Sequence, residues 1–173
     1  MPEGTQGPAH LPNTEADKFR LRHFVERLIE TGEIDIIDQP VELADLTLHM
    51  DGNPKAVLFR KAGKEQAEIV GNLCASRKRM AAAFDVDETD LLQEVLQRLA
   101  TPQKTETVAR ETAPVQQIVW TGNKADFTRL PVPFQHGRDG GPYLSSTLDF
   151  TINPETGLTN LGCRRMMLRG RRE

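Results

Sequence analysis

The 173-residue sequence is poor in the residues that define several common classes of protein. Its two cysteines, Cys74 and Cys163, form neither a disulfide framework nor, with the four histidines, a zinc-binding pattern. No apolar run approaches the roughly 20 residues of a membrane-spanning helix. Residues 1–14 are polar and rich in proline and glycine, unlike a signal peptide. These absences predict a cytoplasmic protein that does not enter a membrane.

An excess of positive charge is also missing, which argues against nucleic acid as a partner. The sequence has 22 basic and 25 acidic residues, a net charge of −3, and only 5% aromatic residues. One local run of arginines stands out: Arg164, Arg165, Arg169, Arg171 and Arg172. This run lacks the interleaved aromatic side chains on which bases stack. Capture of a phosphate by the inner pair, with ordinary solvation of the others, explains the run better.

The pattern of apolar residues predicts an α+β fold in two parts. Residues 1–14 are predicted to be disordered because they contain little that could be buried. Residues 15–100 alternate amphipathic helices with short strands, which is typical of an α/β layer domain. Residues 101–114 lose all periodicity and are predicted to be a linker. From residue 115 to 173 the pattern is that of β-strands.

Individual elements follow from periodicity, capping residues and breakers. Helices are predicted over 17–31, 41–50, from a Ser76 cap through Phe84, and from Asp87 to about residue 100. Strands are predicted over 34–37, 57–59, 69–70, 115–120, 143–152 and 158–168. The last two strands are expected to form a hairpin around residues 153–157.

The hairpin strands carry side chains that suggest chemistry. Alternation in the first strand separates a polar face from an apolar one, which carries Leu144, Leu148, Phe150 and Ile152 with Ser146 among them. In the second strand, Asn160 and Arg165 are five positions apart and would face opposite sides of a regular strand. Gly162 lies between them, and a glycine inside a strand often marks a bulge. We therefore expect a bulge at Gly162 that brings Asn160 and Arg165 to one side.

An ordered series of short motifs in the second half resembles one enzyme family. The series is Leu130-Pro131, Asp139-Gly140-Gly141-Pro142-Tyr143, Pro154-Glu155-Thr156-Gly157, Asn160-Leu161-Gly162 and Arg165-Met166. In this order it resembles a segment of the UbiD family, whose members are reversible decarboxylases that use prenylated flavin mononucleotide. The resemblance implies that residues 115–173 open a split β-barrel flavin-binding domain. It covers almost the whole chain, but only about the first third of a full family member.

The resemblance also implies roles for individual residues. Asn160 is similar to the asparagine that ligates a divalent metal, Mn²⁺ or Mg²⁺, at the cofactor phosphate, with K⁺ as a further candidate ion. Cys163, Arg164 and Arg165 fall on the stretch that contacts the prenylated flavin. Arg165 is similar to the active-site arginine that orients the substrate carboxylate. Arg164 departs from the family pattern, in which this position is usually tyrosine or a small residue.

The implied activity is non-oxidative (de)carboxylation of an aromatic or α,β-unsaturated acid, with the flavin as electron sink. A flavin prenyltransferase would supply the cofactor. The family's catalytic carboxylates and remaining metal ligands lie beyond Arg165, so the isolated chain is expected to be an inactive N-terminal part. A homo-oligomer, or a second subunit that supplies the carboxylates, would complete the site.

Other readings of the sequence stay open. The chain could be a non-catalytic small subunit or cofactor-binding module completed by a large subunit, or a flavin reductase-like module that binds ordinary flavin mononucleotide without needing Arg165. His136 and Asp139 fit a solvated turn better than a metal or acid–base site. Asp149, on the polar face of its strand, is a secondary candidate for substrate contact.

Overall fold

The structure of the chain, a computed structural model, describes residues 19–101 and 108–173. Its helices are α1 (Leu21–Glu30), α2 (Leu46–Met50), α3 (Arg77–Phe84) and α4 (Leu91–Ala100), and its strands are β1 (Ile34–Ile37), β2 (Ala56–Ala62), β3 (Ala67–Gly71), β4 (Tyr143–Ile152) and β5 (Thr159–Met167). β1, β2 and β3 form one sheet in that order, and β4 and β5 form a second. Segregated helices and antiparallel pairs confirm the α+β fold class. The predicted disorder of residues 1–14 lies outside the described residues.

The chain divides into two compact units, each assembled from separate stretches. The first contains Pro54–Ala56 and Asn72–Thr121 together with the stretch that ends at Asp35, and therefore holds α1, α3 and α4. The second contains Ile36–Asn53, Val57–Gly71 and Gly122–Glu173, and therefore holds α2, β3, β4, β5 and nearly all of β2. Among the described residues, no helix is long and apolar enough to cross a bilayer.

The helices of the first unit lie in the predicted regions, but α4 begins at Leu91 and not at Asp87, and Asp90 makes no side-chain cap hydrogen bond. α3 begins after Ser76, whose hydroxyl accepts a hydrogen bond from the backbone N–H of Arg79 at 3.4 Å, so the predicted cap is confirmed. The helix ends at Asp85, which takes the left-handed conformation that commonly stops a helix. α1 is amphipathic and buries Leu28, which is 1% exposed.

The second unit has its core where α2 meets β2. Leu46, Val57, Phe59 and Ala62 are all 1% exposed or less and form one apolar cluster. β2 is buried along most of its length, as its continuous apolar run predicts. The helix predicted over 41–50 begins only at Leu46, because Val41 is held extended against Ala62 in an isolated bridge.

The strand predicted over 115–120 is wrong. Pro114–Gln116 is a short 3₁₀-helix, and residues 117–120 form no strand. Val115 and Ile118 are 80% and 74% exposed, so their apolar side chains pack against little. Proline at the first position favours a helical turn, and strand propensity is realised only next to a partner strand. No described strand pairs with this segment.

Candidate functional site

The β4–β5 hairpin carries every residue to which the sequence assigns a role. Its turn closes as predicted because the Asn153 side chain accepts hydrogen bonds from the backbone N–H groups of Glu155 and Thr156, at 2.8 and 3.1 Å. Gly157 completes the turn at φ +70°, a conformation that favours glycine. This local chemistry sets the register of the two strands.

The hairpin has a bulge, and it lies in β4. The register shifts between two pairs, Leu144 with Met166 and Thr147 with Arg164. Ser145 and Ser146 therefore both lie opposite the single residue Arg165. Pairing is regular on either side of Gly162, so the bulge predicted at Gly162 is wrong.

Gly162 has a different structural role. It pairs with Asp149, whose carboxylate reaches over it to Arg164 Nε at 3.2 Å. A Cβ at Gly162 would lie 2.6 Å from Asp149 Oδ1 and 3.1 Å from Arg164 Nε. The glycine therefore leaves room for an ion pair that crosses the strand pair diagonally.

The four predicted site residues divide between the two faces of the hairpin. β5 is regular from Asn160 to Arg165, and successive side chains of a strand point to opposite sides. Asn160 and Arg164 therefore share one face with Asp149, and Cys163 and Arg165 share the other. The expectation that Asn160 and Arg165 lie on one side is wrong, because it depended on the bulge at Gly162.

The bulge in β4 also changes which side chains of this strand lie on each face of the hairpin. It inverts the alternation, so Tyr143 joins the face of Leu148 and Phe150, while Leu144 moves to the polar face. The predicted apolar face is thus wrong at Leu144. The consequence for the site is that Tyr143 and Arg165 become neighbours.

Arg165 is held by two contacts on its face. Its guanidinium carbon lies 4.6 Å from the centroid of the Tyr143 ring, a cation–π geometry. Its Nη1 donates to Oε1 of Gln135 at 3.3 Å. Gln135 is itself fixed, because its backbone carbonyl accepts a hydrogen bond from the Thr47 hydroxyl at 2.9 Å.

The two adjacent arginines differ in how their charge is compensated. Asp149 forms an ion pair with Arg164, whereas no carboxylate of the described residues forms one with Arg165. The Arg165 side chain is exposed and keeps most of its five N–H donors available. A guanidinium in this state can hold a carboxylate or phosphate with two parallel hydrogen bonds.

The other candidate residues find ordinary structural explanations. The Asp139 carboxylate accepts from the His136 backbone N–H at 3.0 Å and closes a turn, as the sequence suggested. Asp149 forms an ion pair with Arg164 at 3.2 Å, and its contact with a substrate stays a prediction. Within residues 19–101 and 108–173 no group of three or more His, Cys, Asp or Glu could hold a metal ion.

Sequence reasoning missed three residues of this site. Tyr143 belongs to the quoted Asp139–Tyr143 motif, which is a signal, but its position beside Arg165 depends on the bulge. Gln135 and Thr47 are brought to Arg165 by contacts between residues 88 and 30 positions apart, so no local pattern marks them.

Comparison with known proteins agrees with this architecture. Residues 25–99 match the N-terminal domain of 3-octaprenyl-4-hydroxybenzoate carboxy-lyase, the UbiD N-terminal model. Residues 106–173 match the Rift-related domain of the same carboxy-lyase, the UbiD model. The chain belongs to the UbiD family. Together the two models span both the helical region and the hairpin that carries Arg165.

Related proteins are considerably longer than this chain. An uncharacterized protein in the cooM 5′ region of Rhodospirillum rubrum is 29% identical over 166 residues, which cover 92% of this chain and 35% of that protein. The chain thus spans about 35% of the length of this relative.

Solved UbiD-class structures share the fold. HmfF from Pelotomaculum thermopropionicum, in an evolved dimeric form in complex with prFMN, superposes with a TM-score of 0.79 at 22% identity, covering 87% of this chain and 36% of that one. Vanillic acid decarboxylase from Sedimentibacter hydroxybenzoicus has a TM-score of 0.76 at 26% identity, covering 87% and 36%. The 3,4-dihydroxybenzoic acid decarboxylase of Enterobacter cloacae has a TM-score of 0.79 at 24% identity, covering 87% and 35%.

Proposed function

We propose that this UbiD-family chain provides the N-terminal domain and the first flavin-binding strands of a carboxy-lyase. The reaction would be non-oxidative (de)carboxylation of an aromatic or α,β-unsaturated carboxylic acid with prenylated flavin mononucleotide. The observation that carries this proposal is Arg165, an arginine without a carboxylate partner among the described residues, held on an exposed strand face. It occupies the position that the family resemblance assigns to the active-site arginine. The prFMN complex of HmfF and the two aromatic acid decarboxylases support the cofactor and substrate class.

Arg165 would bind and orient the substrate carboxylate. Its fork can place both carboxylate oxygens in one plane, which fixes the direction of the bond that breaks. When bound, the prenylated flavin would supply the electron sink. Cys163 lies two residues away on the same face and is exposed, so it would contact whatever lies against Arg165. The family resemblance implies a carboxylic acid as the proton donor, and no carboxylate among the described residues forms an ion pair with Arg165.

The remaining cofactor assignments fit the structure less well. Arg164 is compensated by Asp149, which makes it a poor phosphate ligand unless that ion pair opens. Asn160 lies on the face opposite Arg165, and the described residues offer no cluster that would complete a Mn²⁺ or Mg²⁺ site around it. Asn160 and Arg164 as cofactor residues, Asn160 as a metal ligand, and K⁺ as a further ion therefore stay predictions.

Ligand binding tests the proposal directly. The chain would be co-expressed with a flavin prenyltransferase, and native mass spectrometry would report the bound cofactor and the oligomeric state together. Arg165→Ala should abolish retention of the flavin or of a benzoate-type acid, and Arg165→Lys should restore it only in part. Arg169→Ala removes an exposed arginine from the same region and serves as the matched control. Equal retention by the Arg165 and Arg169 variants would contradict the proposal.

A second candidate is a non-catalytic subunit that a separate polypeptide completes. The observation in its favour is the apolar side of the hairpin, where Leu148, Phe150 and Ile152 are 59%, 73% and 66% exposed. The S. hydroxybenzoicus enzyme has been solved with a second component, VdcD. The gene separates the candidates: a reading frame that continues past Glu173 supports the enzyme, and a stop codon with a neighbouring gene encoding the carboxylates supports the subunit. A flavin reductase-like module would retain ordinary flavin mononucleotide in Arg165→Ala.

A further inference from the structure

Arg165 contacts residues outside the motifs of the family resemblance, Gln135 directly and Thr47 through Gln135. We propose that Gln135 and Thr47 are positioning residues, which hold the Arg165 guanidinium in the rotation that presents its open edge to an anion. This inference rests on the proposed function, in which Arg165 is the anion-binding group. The residues form a chain of two hydrogen bonds, from Thr47 on α2 to Gln135 and from Gln135 to Arg165.

The chain of hydrogen bonds begins on a rigid element. Thr47 is half-buried on α2, next to Leu46, which is 1% exposed in the core of its unit. The Thr47 hydroxyl donates to the backbone carbonyl of Gln135 at 2.9 Å. Because α2 is anchored by Leu46, this hydrogen bond ties the loop that carries Gln135 to the core.

The same loop has two further anchors. Val132 is only 6% exposed, and the backbone carbonyl of Pro133 accepts a hydrogen bond from the Tyr143 N–H at 3.0 Å. Gln135 therefore lies two residues after Pro133, whose carbonyl is hydrogen-bonded to the first residue of β4. Its half-buried side chain has few ways to turn, which suits a group that must orient another.

Two contacts together define the guanidinium. The Tyr143 ring lies against the guanidinium, 4.6 Å from its carbon to the ring centroid, and the Gln135 amide oxygen accepts from Nη1. Arg165 is a donor only, so the amide oxygen, and not the nitrogen, must face Nη1. A neutral amide holds the arginine without cancelling its charge, whereas a carboxylate at position 135 would compensate it, as Asp149 does for Arg164.

The experiment compares four variants of the chain by two measurements. Gln135→Leu and Thr47→Val remove the two hydrogen bonds at nearly constant volume, Thr47→Ser retains the hydroxyl, and Gln135→Glu adds a charge. The Nε–Hε signal of Arg165 in ¹⁵N NMR, assigned with Arg165→Lys, reports the order of the guanidinium. The dissociation constant of benzoate, measured by titration in the same NMR spectra, reports binding of a carboxylate.

We expect the Arg165 signal to lose order in Gln135→Leu and Thr47→Val and to keep it in Thr47→Ser. Affinity for benzoate should fall about fivefold in Gln135→Leu, the size of one modest hydrogen bond. It should fall further in Gln135→Glu, since the new carboxylate competes with the ligand. Gln117→Leu, an exposed glutamine in the other unit, should change neither measurement.

An unchanged Arg165 signal in both Gln135→Leu and Thr47→Val would overturn the positioning role. If Thr47→Val does not fold, Gln135→Leu alone decides, because its side chain is not in the core. If Arg165→Lys leaves the affinity unchanged while Gln135→Leu disorders Arg165, the positioning role stands and the proposed anion-binding function fails. The two ideas are therefore separable in one set of samples.

Discussion

Arg79 should be the most sensitive single position of the first unit. It is 1% exposed, and its guanidinium donates to three backbone carbonyls: Pro54 at 2.7 Å, Asn72 at 2.9 Å and Leu73 at 3.3 Å. Its Nη1 also lies 3.8 Å from a carboxylate oxygen of Glu33. Through these hydrogen bonds Arg79 joins α3 to Pro54 and to residues 72–73 of the same unit.

The cost of removing it follows from these contacts. Hydrogen bonds to charged groups contribute about 1.5–3 kcal/mol each, but burying the guanidinium offsets part of the sum. Arg79→Met keeps the bulk and leaves three carbonyls without this donor, so we expect a loss of about 3 kcal/mol in the free energy of unfolding. Arg79→Lys should be intermediate, because one ammonium cannot reach three acceptors spread around a planar fork.

Urea denaturation followed by circular dichroism measures this loss. The matched control is Lys78→Met, which removes the exposed partner of Glu33 from the same helix and should cost far less, since exposed ion pairs are screened by water. A loss below about 1 kcal/mol in Arg79→Met, or one no larger than in the control, would refute the view that the three carbonyl contacts stabilise the unit.

Three further outcomes are expected. Lys78 donates a hydrogen bond to Glu33 and lowers the pKa of its carboxyl group below 4.5. The natural chain should therefore be more stable than Glu33→Gln above pH 4.5, and the difference should shrink as the pH falls through the lowered pKa. A difference in the free energy of unfolding that stays constant down to pH 3 in denaturation curves would contradict this. Ser76→Ala should cost about 1 kcal/mol and Ser76→Asp much less, because only the first loses the cap; equal unfolding midpoints would count against the cap. Gly162→Ala should destabilise the chain, because the new Cβ displaces the carboxylate of Asp149. The same substitution should be neutral or stabilising in an Asp149→Ala background. A double-mutant cycle that shows no coupling between the two positions would contradict the role given to the glycine.

Features with local causes could be predicted from the sequence. The ends of β4 coincide with the predicted strand at 143–152, because alternation and flanking turn residues act within a few positions. The hairpin turn is fixed by the Asn153 side chain and by Gly157. The fold class follows from the same signals, since they define which segments can be helix or strand.

The bulge shows where local signals mislead. Glycine at position 162 is typical of a bulge, but it also serves where a neighbouring side chain needs space, and here Asp149 takes that space. The actual bulge lies at Ser145 and Ser146, and bulges of this kind accept most residues. Sequence alone could not choose between the strands, because the choice depends on the pairing register across the hairpin.

The predicted strand at 115–120 failed for a related reason. Alternating apolar residues favour a strand only if a partner offers free backbone groups, and no described strand lies beside this segment. The burial of Arg79 could not be predicted from the sequence, because a charged residue is expected at the surface. Its burial is explained by the three backbone carbonyls that accept its hydrogen bonds.

The adjacent arginines of β5 have the same side chain but different surroundings. Alternation along the strand sends Arg164 and Arg165 to opposite faces, where different neighbours meet them. Asp149 compensates the charge of Arg164, whereas Gln135 contacts Arg165 through a neutral amide and leaves its charge available. The two side chains have the same intrinsic chemistry, so the difference lies in their partners. A strand face that offers an amide in place of a carboxylate is therefore what makes Arg165, and not Arg164, the candidate for holding an anionic ligand.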